Sequence, residues 1–289
     1  MHISVIIPNL HSPFIDRTLD SLRQQTRDLS DVEVIVVGMD KHGLVEEDAV
    51  VRHLPTESPV SPAIARNLGM REATGDLFAF TDADCLAAPD WLDVMVRNYA
   101  DPSVHVVGGG IAFPQDNYWS LSDNLSWFHE VLATAPAGTR PYLPTLNLSM
   151  RREVYETVGG LDESFPRPAG EDTEWTTRMR ATGYTLHFDP RAVIYHHHTR
   201  QSLIKLLEHA FYFGHNSVKV DPRYKDAIGF PSPLRHPLPL LALSPLLAAG
   251  ATARVFASVR RHLQTAPVVY LTKLSWCVGA ARRLQRESS

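Results

Sequence analysis

Apolar residues along this chain fall into short continuous runs separated by stretches with helical spacing. The runs at 3–7, 32–37, 50–54 and 77–80 read as buried strands, too short for helices and rich in Val, Ile and Phe. Between them, Ile15, Leu19 and Leu22 recur at helical intervals within 14–25, and 62–73 reads as a helix with proline at its start. A helix over 89–99 and a strand over 104–107, closed by Gly108-Gly109-Gly110, continue the alternation. Strands alternating with helices predict an α/β fold, doubly wound on a mostly parallel sheet. The order loosens from 113 to 145. Four prolines there, with Trp119, Trp127, Phe128 and Tyr142, predict a long packed loop whose rings can also stack on a sugar. Helices over 151–158 and 173–181 follow, the first stopped by Gly159-Gly160, and a short strand over 192–195 runs into His196-His197-His198.

The run at 77–80 ends at Asp82-Ala83-Asp84, two hard oxygen ligands one residue apart where a strand leaves the sheet. Such a pair can hold a divalent cation, which can in turn neutralise a diphosphate. A plain polar turn is spelled the same way, so the triplet gains meaning only in company. Asp172, within Gly170-Glu171-Asp172, falls at a helix start, a position that suits a proton acceptor or an ordinary cap. In the strand ending at the histidine run, residues 196 and 198 share one face and 197 points away.

Composition and charge narrow the class. At 289 residues and 44% hydrophobic content, the chain can build one large α/β domain, or a domain with an appendage. Its two cysteines, Cys85 and Cys277, suggest neither a disulfide framework nor a metal cluster, which points to a reducing compartment. The N-terminus enters a strand with no charged or long apolar leader, which argues against a signal peptide. From Pro231 onward there are eight basic residues and one acid, a charge of +7 against −11 for the 230 residues before it. An acidic body speaks against general nucleic-acid binding. The basic tail is uncharged over 237–253, and over 266–281 apart from Lys273. Neither stretch is a clear membrane-spanning helix. An interfacial segment on anionic lipid and a helical hairpin packed on the domain both fit.

In order, the chain carries Ser4-Val5-Ile6-Ile7-Pro8, then 19–26, Ala65-Arg66-Asn67-Leu68-Gly69, Ala73-Thr74-Gly75-Asp76 and the Asp82/Asp84 pair. Asn147 to Asp172 follows, with Arg151-Arg152, Val158-Gly159-Gly160-Leu161-Asp162-Glu163 and Gly170-Glu171-Asp172, then Arg178, Gly183-Tyr184 and the histidines. This ordered set, from about Ser4 to Gly214, resembles the family 2 glycosyltransferases of the nucleotide-diphospho-sugar transferase (GT-A) type.

The resemblance implies a metal-dependent inverting transferase. It would move a sugar from a nucleotide diphosphate donor, a UDP-sugar above all, to a sugar or lipid-linked acceptor hydroxyl. Cell-surface polysaccharide, glycolipid or natural-product glycoside synthesis would be its setting. By the same resemblance Asp172, with Glu171, is the catalytic base, and Asp84, Asp82 and His196 hold Mn²⁺ or Mg²⁺. Pro8, Asp40, Arg66, Asp82, Ala83 and Asp84 line the donor site, and Trp175, Gly160 and His198 lie toward the acceptor. One departure stands out: Gly38-Met39-Asp40 replaces the Asp-Asp-Gly-Ser-like turn whose acid usually contacts the base. Residues 1–230 are expected to form the catalytic domain, with a nucleotide half to about 110. Residues 231–289 form a helical tail that meets the inner face of the membrane from the cytoplasm. A sugar-phosphate nucleotidyltransferase lacks support, since Pro8-Asn9-Leu10-His11-Ser12 has no glycine to cradle phosphate. A degenerate, non-catalytic binding subunit rests on the altered turn alone.

Overall fold

The computed structural model describes residues 1–115, 117–197, 200–224 and 230–287. In chain order its elements begin with β1 (Ile3–Leu10), α1 (Ile15–Arg23), β2 (Val32–Met39), β3 (Val51–Pro55), α2 (Pro62–Glu72), β4 (Leu77–Thr81), β5 (Cys85–Ala87) and α3 (Trp91–Arg97). They continue with β6 (Val106–Ala112), α4 (Tyr118–Phe128), β7 (Gly138–Thr139), β8 (Asn147–Arg151), α5 (Arg152–Val158), α6 (Glu171–Ala181) and β9 (Leu186–His196). The chain closes with α7 (Leu203–His215), α8 (Pro237–Val259) and α9 (Ala266–Glu287). Residues 1–112 and 131–197 form one compact unit; 113–130 and the described part of 198–289 form a second. The boundary expected at 230 falls inside the second unit, because α9 packs on α7, which precedes it, and carries α8 along.

In the first unit, nine strands among the described residues make one sheet, ordered β3-β2-β1-β4-β8-β6-β9-β5, with β7 paired to β9. The runs read from the sequence supply β1 to β4, which pair with one another in parallel; β1, β2 and β4 are buried almost throughout, and β3 at the sheet edge is only partly so. Strand β1 continues through Pro8 to Leu10 rather than stopping at Ile7. β4 leaves β1 after Ile6, so Pro8, with no N–H to give, sits where β1 has a partner on one side only. Helix α2 packs on β1 and β2, α1 on β5, and α3 on β9.

The second half of the sheet departs from the expected outline. β8 was not foreseen as a strand, and it enters antiparallel between β4 and β6. Its inward residues Asn147 and Ser149 are polar and fully buried. The Asn147 side chain donates to the Gly110 and Ala192 carbonyls at 2.9 Å each and accepts the Trp91 indole N–H at 2.9 Å. Gly108, Gly109 and Gly110 lie inside β6 instead of closing it. Leu143, the Asn147 side chain and the backbones of Ala192 and Pro190 come so close that a Cβ at these positions would collide. Strand β9 runs for 11 residues, well beyond the 192–195 expected.

The second unit corrects another expectation, because residues 118–128 form α4 rather than loop. The Asn117 side chain accepts from the Trp119 and Ser120 N–H groups at 3.0 and 3.1 Å and so caps the helix. Helices α8 and α9 pack together as a hairpin around Leu240, Cys277, Ala280, Ala281 and Leu284.

Candidate active site

Strand β4 carries the chain to Thr81, and Asp82-Ala83-Asp84 forms the turn into β5. Three backbone contacts fix that turn. The Ser12 hydroxyl donates to the Ala83 carbonyl at 2.7 Å, the Cys85 N–H to Asp82 O at 3.1 Å, and the His197 N–H to Asp84 O at 2.9 Å. Both carboxylates stay about one-third exposed. Antiparallel pairing of β5 with β9 sets Cys85 opposite His196, and thereby brings His196 Nε2 within 3.8 Å of Asp84 Oδ1.

The other half of the site comes from α2 and α6. Arg66 of α2 is buried, donates from Nη2 to Asp82 Oδ1 at 2.5 Å, and faces Glu171 Oε1 at 3.7 Å. Its Nε and Nη1 are buried and have no hydrogen-bond partner. Helix α6 opens on Gly170, at φ +96, with Glu171 and Asp172 in its first turn. Glu171 is closed off from solvent and accepts the Ala169 N–H at 2.8 Å, whereas Asp172 is half-buried and accepts the Thr173 N–H at 2.7 Å.

Clamps between the elements explain why these groups meet. Asn67, one residue after Arg66, donates to Leu161 O at 2.9 Å and accepts the Leu161 N–H at 2.8 Å, which ties α2 to the turn before α6. Arg178 of α6 donates to the Val158 and Gly160 carbonyls and grips Glu174 with two bonds. Phe80 of β4 meets Trp175 of α6 edge-on at 5.6 Å between ring centres. Two buried rings in that geometry contribute about 0.5–1.5 kcal/mol beyond the area they remove from water.

Four carboxylates, those of Asp82, Asp84, Glu171 and Asp172, thus surround one arginine and one histidine. Burial and, after it, the excess of negative charge show in the protonation of Glu171 and Asp172. Burial pushes Glu171 up to about 7, Asp172 adds to this, and Arg66 opposes it. Burial also raises Asp172, against the pull of the Thr173 N–H and Arg66, with the Asp82 charge adding to the rise. A divalent cation suits this charge imbalance. The partly exposed Asp84 carboxylate and the buried His196 imidazole offer an oxygen and a nitrogen beside each other, a set that fits Mn²⁺ better than the all-oxygen octahedron Mg²⁺ prefers.

Sequence reasoning passed over Cys85, whose Sγ lies 3.8 Å from Asp84 Oδ1. It directly follows the Asp-Ala-Asp turn, which was the available signal. Burial first, then the Asp84 and Asp82 charges, push the thiol well above its usual range, and its sulfur stands with the Asp84 and His196 ligand atoms, all within 4.8 Å of one another.

Some expected site residues do other work. Trp175 has no exposed surface, and its indole N–H donates to Gly159 O at 2.9 Å. It is a core residue and can offer nothing to an acceptor, a correction to the sequence reading. Gly160 lies against the Asn67 side chain, where a Cβ would collide. Asp40 spends both oxygens on its own loop, accepting the His42 N–H at 3.2 Å and the Val45 N–H at 2.7 Å. Burial alone would raise its pKa, but those N–H bonds outweigh it and hold Asp40 below the usual range. Pro8 is inside β1, and Gly38, at φ +128, presses on the Asn9 backbone where any side chain would clash. The expectation for His198 lies outside the described residues.

A family model described as glycosyl transferase family 2 matches residues 4–159, more than half of the chain. The chain belongs to glycosyl transferase family 2. Among relatives of this family 2 chain, the pre-mycofactocin glycosyltransferase of Mycobacterium tuberculosis is 30% identical over 224 residues, which cover 73% of this chain and 46% of that protein. The family 2 chain thus spans about half the length of that relative. Glycosyltransferase AglE of Haloferax volcanii is 29% identical over 199 residues, 64% of each protein. The fold matches the mannosyltransferase PcManGT of Pyrobaculum calidifontis, solved with GDP-Man and Mn²⁺, at a TM-score of 0.66 and 22% identity, covering 100% of this chain and 88% of that one. This family 2 chain therefore has the GT-A type fold.

Proposed function

We propose that this protein moves a sugar from a nucleotide diphosphate donor to an acceptor hydroxyl, with inversion at the anomeric carbon and with a divalent cation, Mn²⁺ in first place. The observation that carries the reading is the meeting of the Asp82–Asp84 turn with Glu171 and Asp172 around Arg66. Asp172 is the base, because it is the partly exposed residue of the α6 pair while Glu171 is closed off, and burial raises its pKa, which strengthens it as a proton acceptor. The acceptor oxygen attacks the anomeric carbon and its proton passes to Asp172. The bond from that carbon to the diphosphate oxygen breaks, and its electron pair leaves with the diphosphate. Arg66, with two buried N–H-bearing nitrogens unbonded, suits an anion beside it. Asp84 and His196, with Asp82, would hold the cation, which when bound supplies Lewis-acid stabilisation of the departing diphosphate. Glu171 balances Arg66 rather than touching substrate.

The donor base is a separate matter, since Asp40 is committed to its own loop. UDP-sugars head the donor panel, followed by GDP-mannose, the donor held by the archaeal neighbour. Two free, buried cysteines suit a reducing compartment, and we propose the cytoplasmic side of a membrane as the place of reaction. The test is a donor panel scored by released nucleoside diphosphate, in Mn²⁺, Mg²⁺ and EDTA. Asp172→Asn should lower transfer by ~10²–10⁴-fold with donor affinity nearly unchanged. Full turnover in EDTA would refute the cation, and lost donor affinity with intact turnover would make Asp172 a cap.

A further inference from the structure

Between Pro237 and Ala253 helix α8 has no Asp, Glu, Lys or Arg. Leu240, Ser244, Ala248 and Val255 turn inward along it, and Leu240 packs with Ala280, Ala281 and Leu284 of α9. The opposite face is open to solvent, with Leu238 76%, Leu246 72% and Leu243 42% exposed, and Leu241 at the edge of the packed side is 40% exposed. The exposed positions between them are Ala242 and Pro245. A single exposed leucine is ordinary, but four on one helix with no charge between them form a patch that calls for a partner. Arg254 in the last turns of α8 and Arg260 and Arg261 just past its end are all exposed, and residues 231–286 contain no acid.

We propose that this face of α8 docks on an anionic bilayer leaflet, with the helix axis in the membrane plane, the leucines among the acyl-chain ends and the three arginines at the lipid phosphates. Among the described residues α8 is the one helix long and apolar enough to cross a membrane. Crossing would strip its inner face from α9, and α9 cannot follow into hydrocarbon because it carries Lys273, Arg282, Arg283 and Arg286. Lying in the interface leaves the hairpin intact and wets the arginines. This surface rests on the membrane-side reading above, and its test measures binding apart from turnover.

The experiment is co-sedimentation of the full chain with vesicles of phosphatidylglycerol or of phosphatidylcholine, at low salt and at ~0.5 M salt. Binding to the anionic vesicles alone is expected, with part of it surviving high salt through the leucines. L238E/L246E should lower partitioning about tenfold or more at both salt levels; should the glutamates unfold the chain, L238S/L246S serves in its place. Replacing Arg254, Arg260 and Arg261 by Ala should cost about fivefold per residue at low salt and little at high salt. No binding to phosphatidylglycerol, equal binding to both lipids, or an unchanged leucine variant would overturn the proposal. So would a dimer in sedimentation velocity that the leucine variant dissolves without any vesicle binding, which would assign the face to a second copy. Released nucleoside diphosphate in solution should be the same in all variants. A chain that turns over donor but ignores vesicles therefore sinks only this surface, and one that binds but is inactive sinks only the transferase reading.

Discussion

Replacing Glu171 by Gln should stabilise the protein, and increasingly so as the pH rises. Glu171 is buried and its pKa is raised from 4.5 to about 7. The folded state therefore holds the proton more tightly than the unfolded chain. Stability from this group is complete below pH 4.5 and falls as the pH climbs through 7. A shift of about 2.5 units corresponds to ~3 kcal/mol once the carboxylate is fully ionised. Glutamine keeps the shape of the protonated acid at every pH and so escapes that loss. Arg66 keeps its 2.5 Å bond to Asp82 in the variant, and what it loses is a 3.7 Å contact already counted within the net shift. The advantage of E171Q should grow by about 2 kcal/mol between pH 5 and pH 8. Asp172, also raised, relaxes in the same direction when its neighbour loses charge.

Urea unfolding of both proteins at the two pH values, in EDTA to keep cations away, measures this through the transition midpoint at constant slope. An E171Q variant less stable than the parent at pH 8, or one whose advantage is the same at both pH values, would refute the reasoning. Either result would mean that the buried carboxylate is stabilised by contacts rather than held at a cost.

Asp84→Ala should abolish Mn²⁺-dependent release of nucleoside diphosphate and the Mn²⁺ binding isotherm, while unfolding within about 1 kcal/mol of the parent, because the side chain stands at a partly exposed turn. Asn67→Ala should destabilise by about 2–5 kcal/mol, since it leaves the buried Leu161 N–H and C=O both unpaired; urea midpoints measure it, and a loss under 1 kcal/mol would show that the α2 clamp is dispensable.

What could be read in the sequence follows the chemistry of burial. Strands β1, β2 and β4 are near-continuous apolar runs because both faces of the sheet are covered there, so they announce themselves. β8 is hidden for the opposite reason: Asn147 and Ser149 face the core, and their hydrogen bonds rather than their hydrophobicity hold the strand. Helix α4 is hidden likewise, with Ser122, Asp123, Asn124 and Ser126 buried and satisfied in its unit. In the site, Asp82, Asp84, Arg66, Glu171 and His196 could be named from residue type and order. Asp40 could not be told from a donor contact, because an Asx-type loop and a base contact use the same side chain. The role of Cys85 depends on the β5–β9 register, which no local pattern contains.

Most of the family stretch turns out to be scaffolding, and the reason is geometric. The carboxylates of the candidate site come from a strand end at 82–84 and a helix start at 171–172, far apart in sequence and bearing like charge. Such groups repel, and burial raises the cost, so the protein must force them together with contacts that do not depend on their protonation. Asn67, Arg178 and Trp175 do this through backbone carbonyls and a buried ring pair. Burial is what lifts Glu171 and Asp172 first; the neighbouring carboxylate charge adds to it, and Arg66 cancels only part of the rise. A site left that far from neutrality by its own residues is poised for a cation, and the same imbalance that weakens the fold at high pH is what would favour binding one there.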